Sequence, residues 1–208
     1  PPSLYNYTEE EIEEMNEKNL SIGIVFNVYN PGSRRRREGI SEDTVEHTAN
    51  EVSQAITSIG HTVTLLPLQD SFTYFLRRIQ ELKLDLLINL VEGFNSCPQY
   101  EANVAGAFEL MGIPFSGNNS KTLGLCQDKY KTKAVLRAYG LLTASAKLVM
   151  SPDQALDMEF PLIVKPNHED ASLGITSESV VLERESLVRQ VEKVIGAYNQ
   201  PVLVEKYI

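Results

Sequence analysis

The sequence predicts two units in succession: an α/β unit on a parallel sheet over residues 21–119, then an α+β unit with a mostly antiparallel sheet over 120–208. Three observations carry this. In the first half, apolar β-rich runs alternate with helix-periodic runs, the pattern of βαβ crossovers. The run LDLLINLV, 84–91, is almost wholly apolar, as a strand covered on both faces must be. Beyond residues 118–122 the texture changes, and the strands are separated by short loops and helices.

Each element has its own reason. SIGIVFNVY, 21–29, is apolar and β-rich and reads as the first strand, and NPGSRRRREG, 30–39, as a loop. In ISEDTVEHTANEVSQAITSIG, 40–60, Val45, Ala49, Val52, Ile56 and Ile59 recur at helical spacing. HTVTLLPL, 61–68, is a second strand. SFTYFLRRIQELK, 71–83, is a helix with Phe72, Phe75, Leu76 and Ile79 on one face. LDLLINLV is the third strand, EANVAGAFELMG, 101–112, a helix, and IPFSG, 113–117, a short fourth strand. Together these make a small Rossmann-like layer, with any ligand crevice at the carboxyl ends of its strands. No G-x-G-x-x-G follows the first strand, which disfavours a nicotinamide site.

In the second half, SKTLGLCQDKYKTKAVLRAYG, 120–140, is helical in two pieces, with Asp128 capping the second. AKLVM (146–150), FPLIVKP (160–166) and GITSESVVL (174–182) are strands. ERESLVRQVEKVIGAYN, 183–199, is a helix with Leu187, Val191, Val194 and Ile195 on one face, and PVLVEKYI, 201–208, is a last strand.

The 208 residues carry 19 Lys and Arg against 28 Asp and Glu, a net charge of −9. That balance argues against a general nucleic-acid or anionic-membrane binder, but not against one basic pocket. No apolar run reaches membrane-spanning length. Residues 1–20 form an acidic, polar leader without the features of a secretory signal, so the expected compartment is the cytoplasm. Cys97 and Cys126 have no metal or redox spacing and read as free, partly buried thiols. His47, His61 and His168 are scattered, and no metal site is expected.

The chemistry concentrates on lysines. Lys165 ends an otherwise apolar strand and is followed by a small-residue stretch, Ala171-Ser172-Leu173-Gly174. A lysine at a buried strand end calls for an anion. Lys129 opens a helix after Asp128, and Glu205 and Lys206 lie on the last strand. A nucleotide needs cations for its phosphates, backbone amides to close over them, and an apolar slot for its base. Taken singly, each piece has a plainer reading: a snorkelling lysine, a simple turn, a capped helix start. Arg34 to Arg37 are either a solvated loop or a grip on an anion. Glu92 and Glu101 flank a loop, either holding a substrate amine or capping local backbone.

The segments NLVEGF, FELMGIPFSGNN, LCQDKYKTKAVLRAYGL, FPLIVKPNHEDASLGI and PVLVEKYI, in that order, resemble the ATP-grasp superfamily over residues 84–208, D-alanine–D-alanine ligase and its relatives above all. The resemblance implies an enzyme that uses ATP and Mg2+ to activate a carboxylate as an acyl phosphate, which an amine attacks to give an amide, ADP and phosphate. It implies that Lys129 and Lys165 contact ATP, with Lys165 near the phosphates. Ser172 and its neighbours would cover the phosphates through backbone amides, as a mobile loop. Glu205 would bond the adenine amino group, with the Lys206 carbonyl and the Ile208 amide reading the adenine edge. Amino-acid or carboxylate substrates and a homodimer are implied as well; no nucleic-acid or membrane partner is.

The sequence also departs from the family. The D-alanine ligases' GG-x-S-x-E-R-E segment has no counterpart in NVYNPGSRRRREGISED, and their HG-x-x-GEDG segment is EGFNSCPQYE here, with Glu92 where the histidine stands. Their paired serines are Ala171-Ser172. The nucleotide half matches better than the substrate half, so another amino-acid or carboxylate substrate is as well supported as D-alanine. The family's acidic and asparagine Mg2+ ligands lie in a further region with no counterpart up to Ile208. The chain is therefore expected to be a fragment lacking the C-terminal ATP-grasp subdomain, inactive by itself; a naturally short, non-catalytic nucleotide-binding or interaction module is the alternative.

Overall fold

A computed structural model describes residues 18–28, 40–69, 71–95, 97–170 and 172–208, with side chains in the segment after residue 40 described from Val45 onward. The leader up to residue 17, the arginine run Arg34–Arg37 and Ala171 lie outside the described residues. The chain divides into two compact units, Pro1–Ser96 with Val104–Gly117, and Cys97–Asn103 with Asn118–Ile208.

In the first unit, strands β1 (Ser21–Asn27), β2 (Thr62–Leu68) and β3 (Leu86–Leu90) form a parallel sheet in the order β2-β1-β3. Helices α1 (Ile40–Ser58), α2 (Phe72–Leu82) and α3 (Glu101–Met111, in this unit from Val104 onward) follow the strands in turn. β1 is central, which is why Ile22 to Phe26 are all buried. Its alternation sends Ile24 and Phe26 towards Ala49, Val45, Val52 and Ile56 of α1. Val25 points the other way, into a core with Phe75 and Ile79 of α2 and Val104 and Phe108 of α3. The periodicities read from the sequence are those of the two helix-covered faces, except that Ile59 lies past the end of α1 and is exposed.

The fourth strand is not formed. Residues 113–117 contribute a single parallel bridge between Phe115 and Leu87. The Leu87 amide donates to the Pro114 carbonyl and the Ser116 amide to the Leu87 carbonyl. Pro114 has no amide hydrogen to extend the ladder, and Gly117, at φ 94°, turns the chain away.

In the second unit, helices α4 (Ser120–Cys126) and α5 (Lys129–Ala138) precede strands β4 (Ala146–Val149), β5 (Leu162–Pro166) and β6 (Val180–Val181), helix α6 (Arg184–Tyr198) and strand β7 (Val202–Lys206). The four strands form a sheet in the order β4-β7-β5-β6, antiparallel at every pairing. Leu162 and Val164 of β5 and Val202 and Val204 of β7 face Leu187, Val191 and Val194 of α6. Ile163, Lys165, Leu203 and Glu205 therefore face the other side of the sheet.

The strand expected over 174–182 is cut to two residues. The Ser179 hydroxyl accepts from the Thr176 amide, and the Thr176 hydroxyl accepts from the Glu178 amide, which winds Ser177–Ser179 into a 3₁₀ turn. Side-chain hydroxyls there compete with the ladder for backbone donors.

Gly23 shows how tight the first unit's core is. A Cβ there would lie 2.6 Å from Leu84 Cδ1, 2.8 Å from Leu87 Cδ2 and 2.9 Å from Leu66 Cδ1. Overpacking of this kind costs about 1–3 kcal/mol. Gly23→Ala is expected to lower the unfolding free energy by that amount in urea denaturation, through a lower midpoint at an unchanged slope; an unshifted midpoint would show that the three leucines yield freely.

Candidate functional site

The helix start at Lys129 is fixed from two directions. Asp128, at the N-cap, accepts from the Lys131 amide at 3.0 Å. Asn167, just past β5 and fully buried, donates to Asp128 Oδ1 at 2.9 Å and accepts from the Tyr130 amide at 3.0 Å. Its carbonyl takes the Lys129 amide at 3.2 Å. Burial pushes the Asp128 carboxyl up, but the bonds from Asn167 and Lys131 outweigh it and hold the group below its ordinary value.

On α5, Lys129 and Lys133 are four residues apart and so share a face. Lys131, on another face, is exposed and pairs with Asp128 at 3.0 Å. The Lys129 ammonium donates to the Glu169 carbonyl and lies 3.9 Å from Asp170 Oδ1. Burial pulls its pKa below the ordinary lysine value, against the opposing pull of the Asp170 and Glu169 charges.

The sheet supplies the facing wall. Lys165 lies opposite Leu203 in the β5–β7 register, and Glu205 opposite Ile163. Lys165 and Glu205 are thus diagonal neighbours on one face, within reach for long side chains. The Glu205 carboxylate is shared: Lys133 Nζ lies 2.6 Å from Oε1 and Lys165 Nζ 3.0 Å from Oε2. Lys133 also donates to Thr143 Oγ1 at 2.5 Å. Burial raises the Glu205 pKa, and the hydrogen bonds from Lys133 and Lys165 more than reverse this, leaving it lowered.

These groups enclose a cleft of about 350 Å³, within the range of small-molecule sites. Lys129, Lys133, Lys165, Ser172 and Glu205 line it, with Pro166, Ile175 and Leu203 as apolar wall. Ser172 is exposed and left-handed at φ 59°. The segment's local turns use the Leu173 amide, which donates to the Asp170 carbonyl, and the Ile175 amide, which donates to the Ser172 carbonyl. Gly174, at φ 75°, leaves no room for a side chain: a Cβ would lie 2.8 Å from both Pro166 Cγ and Tyr198 Cε2.

Four of the residues read from the sequence, Lys129, Lys165, Ser172 and Glu205, meet at this cleft. The anion that meets Lys165 in this structure is Glu205 itself. Lys206 sends its ammonium to the carbonyls of Glu159 and Phe160, and Ile208 is exposed beyond β7. Glu101 belongs to the second unit and accepts from Gln127 Nε2 at 2.7 Å. Glu92 belongs to the first unit, exposed just past β3, where its amide donates to Asn27 Oδ1 at 2.7 Å. Cys97 is half-buried and Cys126, at the cleft, is exposed; both are free thiols. Sequence reasoning missed Lys133, Thr143 and Asn167. Only Lys133 carried a signal, its spacing of four from Lys129.

No protein-family model matches the chain. A D-alanine–D-alanine ligase of Bacillus anthracis is 34% identical over 113 residues, 52% of this chain and 36% of that protein. The chain resembles D-alanine–D-alanine ligases. A crystal structure of a D-alanine–D-alanine ligase from Bacillus anthracis superposes at a TM-score of 0.70 with 24% identity, covering 91% of this chain and 58% of the other. Another, complexed with ATP, gives 0.66 at 22% identity over 92% of this chain and 57% of that ligase. The chain spans about a third of the curated relative's length, and the structural likeness shows the fold. Among the described residues, no helix is long and apolar enough to cross a membrane.

Two measurements follow from the geometry. Asn167→Ala removes two bonds from the start of α5 and is expected to cost about 1–3 kcal/mol in chemical denaturation. An unchanged midpoint would mean that the clamp is redundant. The lowered Glu205 carboxyl contributes stability that is present above its ordinary pKa of 4.5 and is lost as pH falls through its lower folded value. Glu205→Gln is expected to flatten that acid limb when stability is followed with pH; parallel curves for variant and parent would contradict the pairing.

Proposed function

We propose that this chain is the nucleotide-binding part of an ATP-dependent carboxylate–amine ligase resembling D-alanine–D-alanine ligase. The observation that carries the reading is the convergence of Lys129, Lys165, Ser172 and Glu205 on one cleft. Their order in the sequence is the order implied by the resemblance, and they come from a helix, two strands and a loop.

The donor set suits a nucleotide triphosphate. The Lys129 and Lys165 ammonium groups suit phosphate oxygens, and Lys129, part-buried with a depressed pKa, gains from an added anion. The segment at Ser172 covers the phosphates. Leu203 and Ile175 offer an apolar wall for a base. Glu205 accepts from its amino group, and the Lys206 carbonyl and Ile208 amide read its edge. Bound there, ATP would supply the phosphoryl group that turns a substrate carboxylate into an acyl phosphate for amine attack, with ADP and phosphate released.

Magnesium belongs to the proposal for the whole ligase. Among the described residues no group of three His, Cys, Asp or Glu side chains is placed to hold a metal. In this reading the chain is part of a longer protein and does not ligate by itself. The whole protein is cytoplasmic, takes small amino-acid or carboxylate substrates, and pairs as a homodimer. A ligase of the same chemistry with a substrate other than D-alanine is a second reading. It is favoured by Glu92 standing where D-alanine ligases carry histidine, and by the absence of their GG-x-S-x-E-R-E segment.

Calorimetric titration with ATP tests the site. The chain is expected to bind ATP, and Lys165→Ala to weaken binding about tenfold to a hundredfold or abolish it, as loss of a charge-assisted contact does. Equal affinity in the two proteins would remove the assignment.

A further inference from the structure

We infer that Lys133, which has no role in the reading above, is a positioning residue: it fixes Glu205 for nucleobase selection and so leaves Lys165 free to pass to the phosphates. The inference rests on the proposed nucleotide site and adds a determinant of its specificity.

The two lysines that share Glu205 are not equivalent. The Lys133 ammonium is held at two points from different segments, Glu205 Oε1 at 2.6 Å on β7 and Thr143 Oγ1 at 2.5 Å before β4. Its side chain is 10% exposed. Lys165 reaches Glu205 Oε2 at 3.0 Å from the end of β5, and its side chain is 25% exposed at the cleft. The better-held and more deeply buried lysine is Lys133. The more loosely held one lies beside the small-residue segment.

Glu205 is 14% exposed in its side chain, and a carboxylate so enclosed is costly without a cation beside it. With two ammonium groups on one carboxylate, one can leave without stranding the charge. When a polyphosphate enters, Lys165 exchanges one anion for another, and Lys133 keeps Glu205 charged and aimed. The exchange also frees Oε2, the oxygen that Lys165 occupied, to accept from an exocyclic amino group. Glu205 held in this way favours a base that donates at that position over one that presents a carbonyl there. Without Lys133, Lys165 is held back on Glu205, and both phosphate binding and base selection suffer.

ATP and ITP differ at this position, amino against carbonyl, and are the probes. Calorimetry of the chain with each is expected to give an ATP preference of about tenfold or more, the worth of a hydrogen bond to a charged group. Lys133→Met is expected to weaken ATP and to bring the two affinities within about threefold of each other. Lys133→Arg, which keeps a cation in place, restores part of the preference. A purely structural salt bridge would weaken both nucleotides alike, so a lower affinity with the parent's ratio overturns the inference. If melting shows that Lys133→Met does not fold, Thr143→Val decides. A reduced ATP preference there supports the anchoring, and the parent's ratio overturns it. A parent that binds both nucleotides equally overturns this inference alone. A parent that binds neither removes the nucleotide site itself.

Discussion

One carboxylate shared by two ammonium groups organises the second unit. Glu205 stands on β7, Lys165 on β5 and Lys133 on α5, so one pairing ties two adjacent strands to the helix that faces them. Each lysine alone would carry an uncompensated charge into a part-buried wall. Glu205 alone would be worse off, since its environment disfavours the charged form. Together they hold the cleft face of a sheet whose opposite face packs Leu162, Val164, Val202 and Val204 against α6. The division follows from strand pleating: Leu162, Val164, Val202 and Val204 serve the α6 core, and Lys165, Leu203 and Glu205 the cleft.

Much of this was legible beforehand, where the controlling physics is local. The apolar runs of FPLIVKP and PVLVEKYI, the helical spacing in α1 and α2, and the cap at Asp128 all act within a few residues. The fourth strand failed because Pro114 supplies no amide donor, so apolar composition was not enough. The strand over 174–182 failed because Thr176 and Ser179 bond their own neighbours more readily than a ladder. Both failures were written in the sequence as residue chemistry and were outweighed there by composition.

The site was legible by order and spacing rather than by pairing. Lys165 was marked by its setting, but its partner lies 40 residues on, and the partner of Lys133 lies 72 residues on. Asn167 after VKP carries no signal of its own; its role appears only when β5 ends beside the first turn of α5. Such long-range closures have no signature in a single sequence, because each half is an ordinary polar residue.

The segment after β5 has a root and a tip with opposite freedoms. At the root, Gly174 presses against Pro166 and the Tyr198 ring of α6, with no space for a methyl group. At the tip, Ser172 is exposed and touches the cleft. Drift in sequence can therefore recut the tip while the root stays invariant. Any side chain at the root must displace Pro166 or the Tyr198 ring, whereas a substitution at the tip meets solvent.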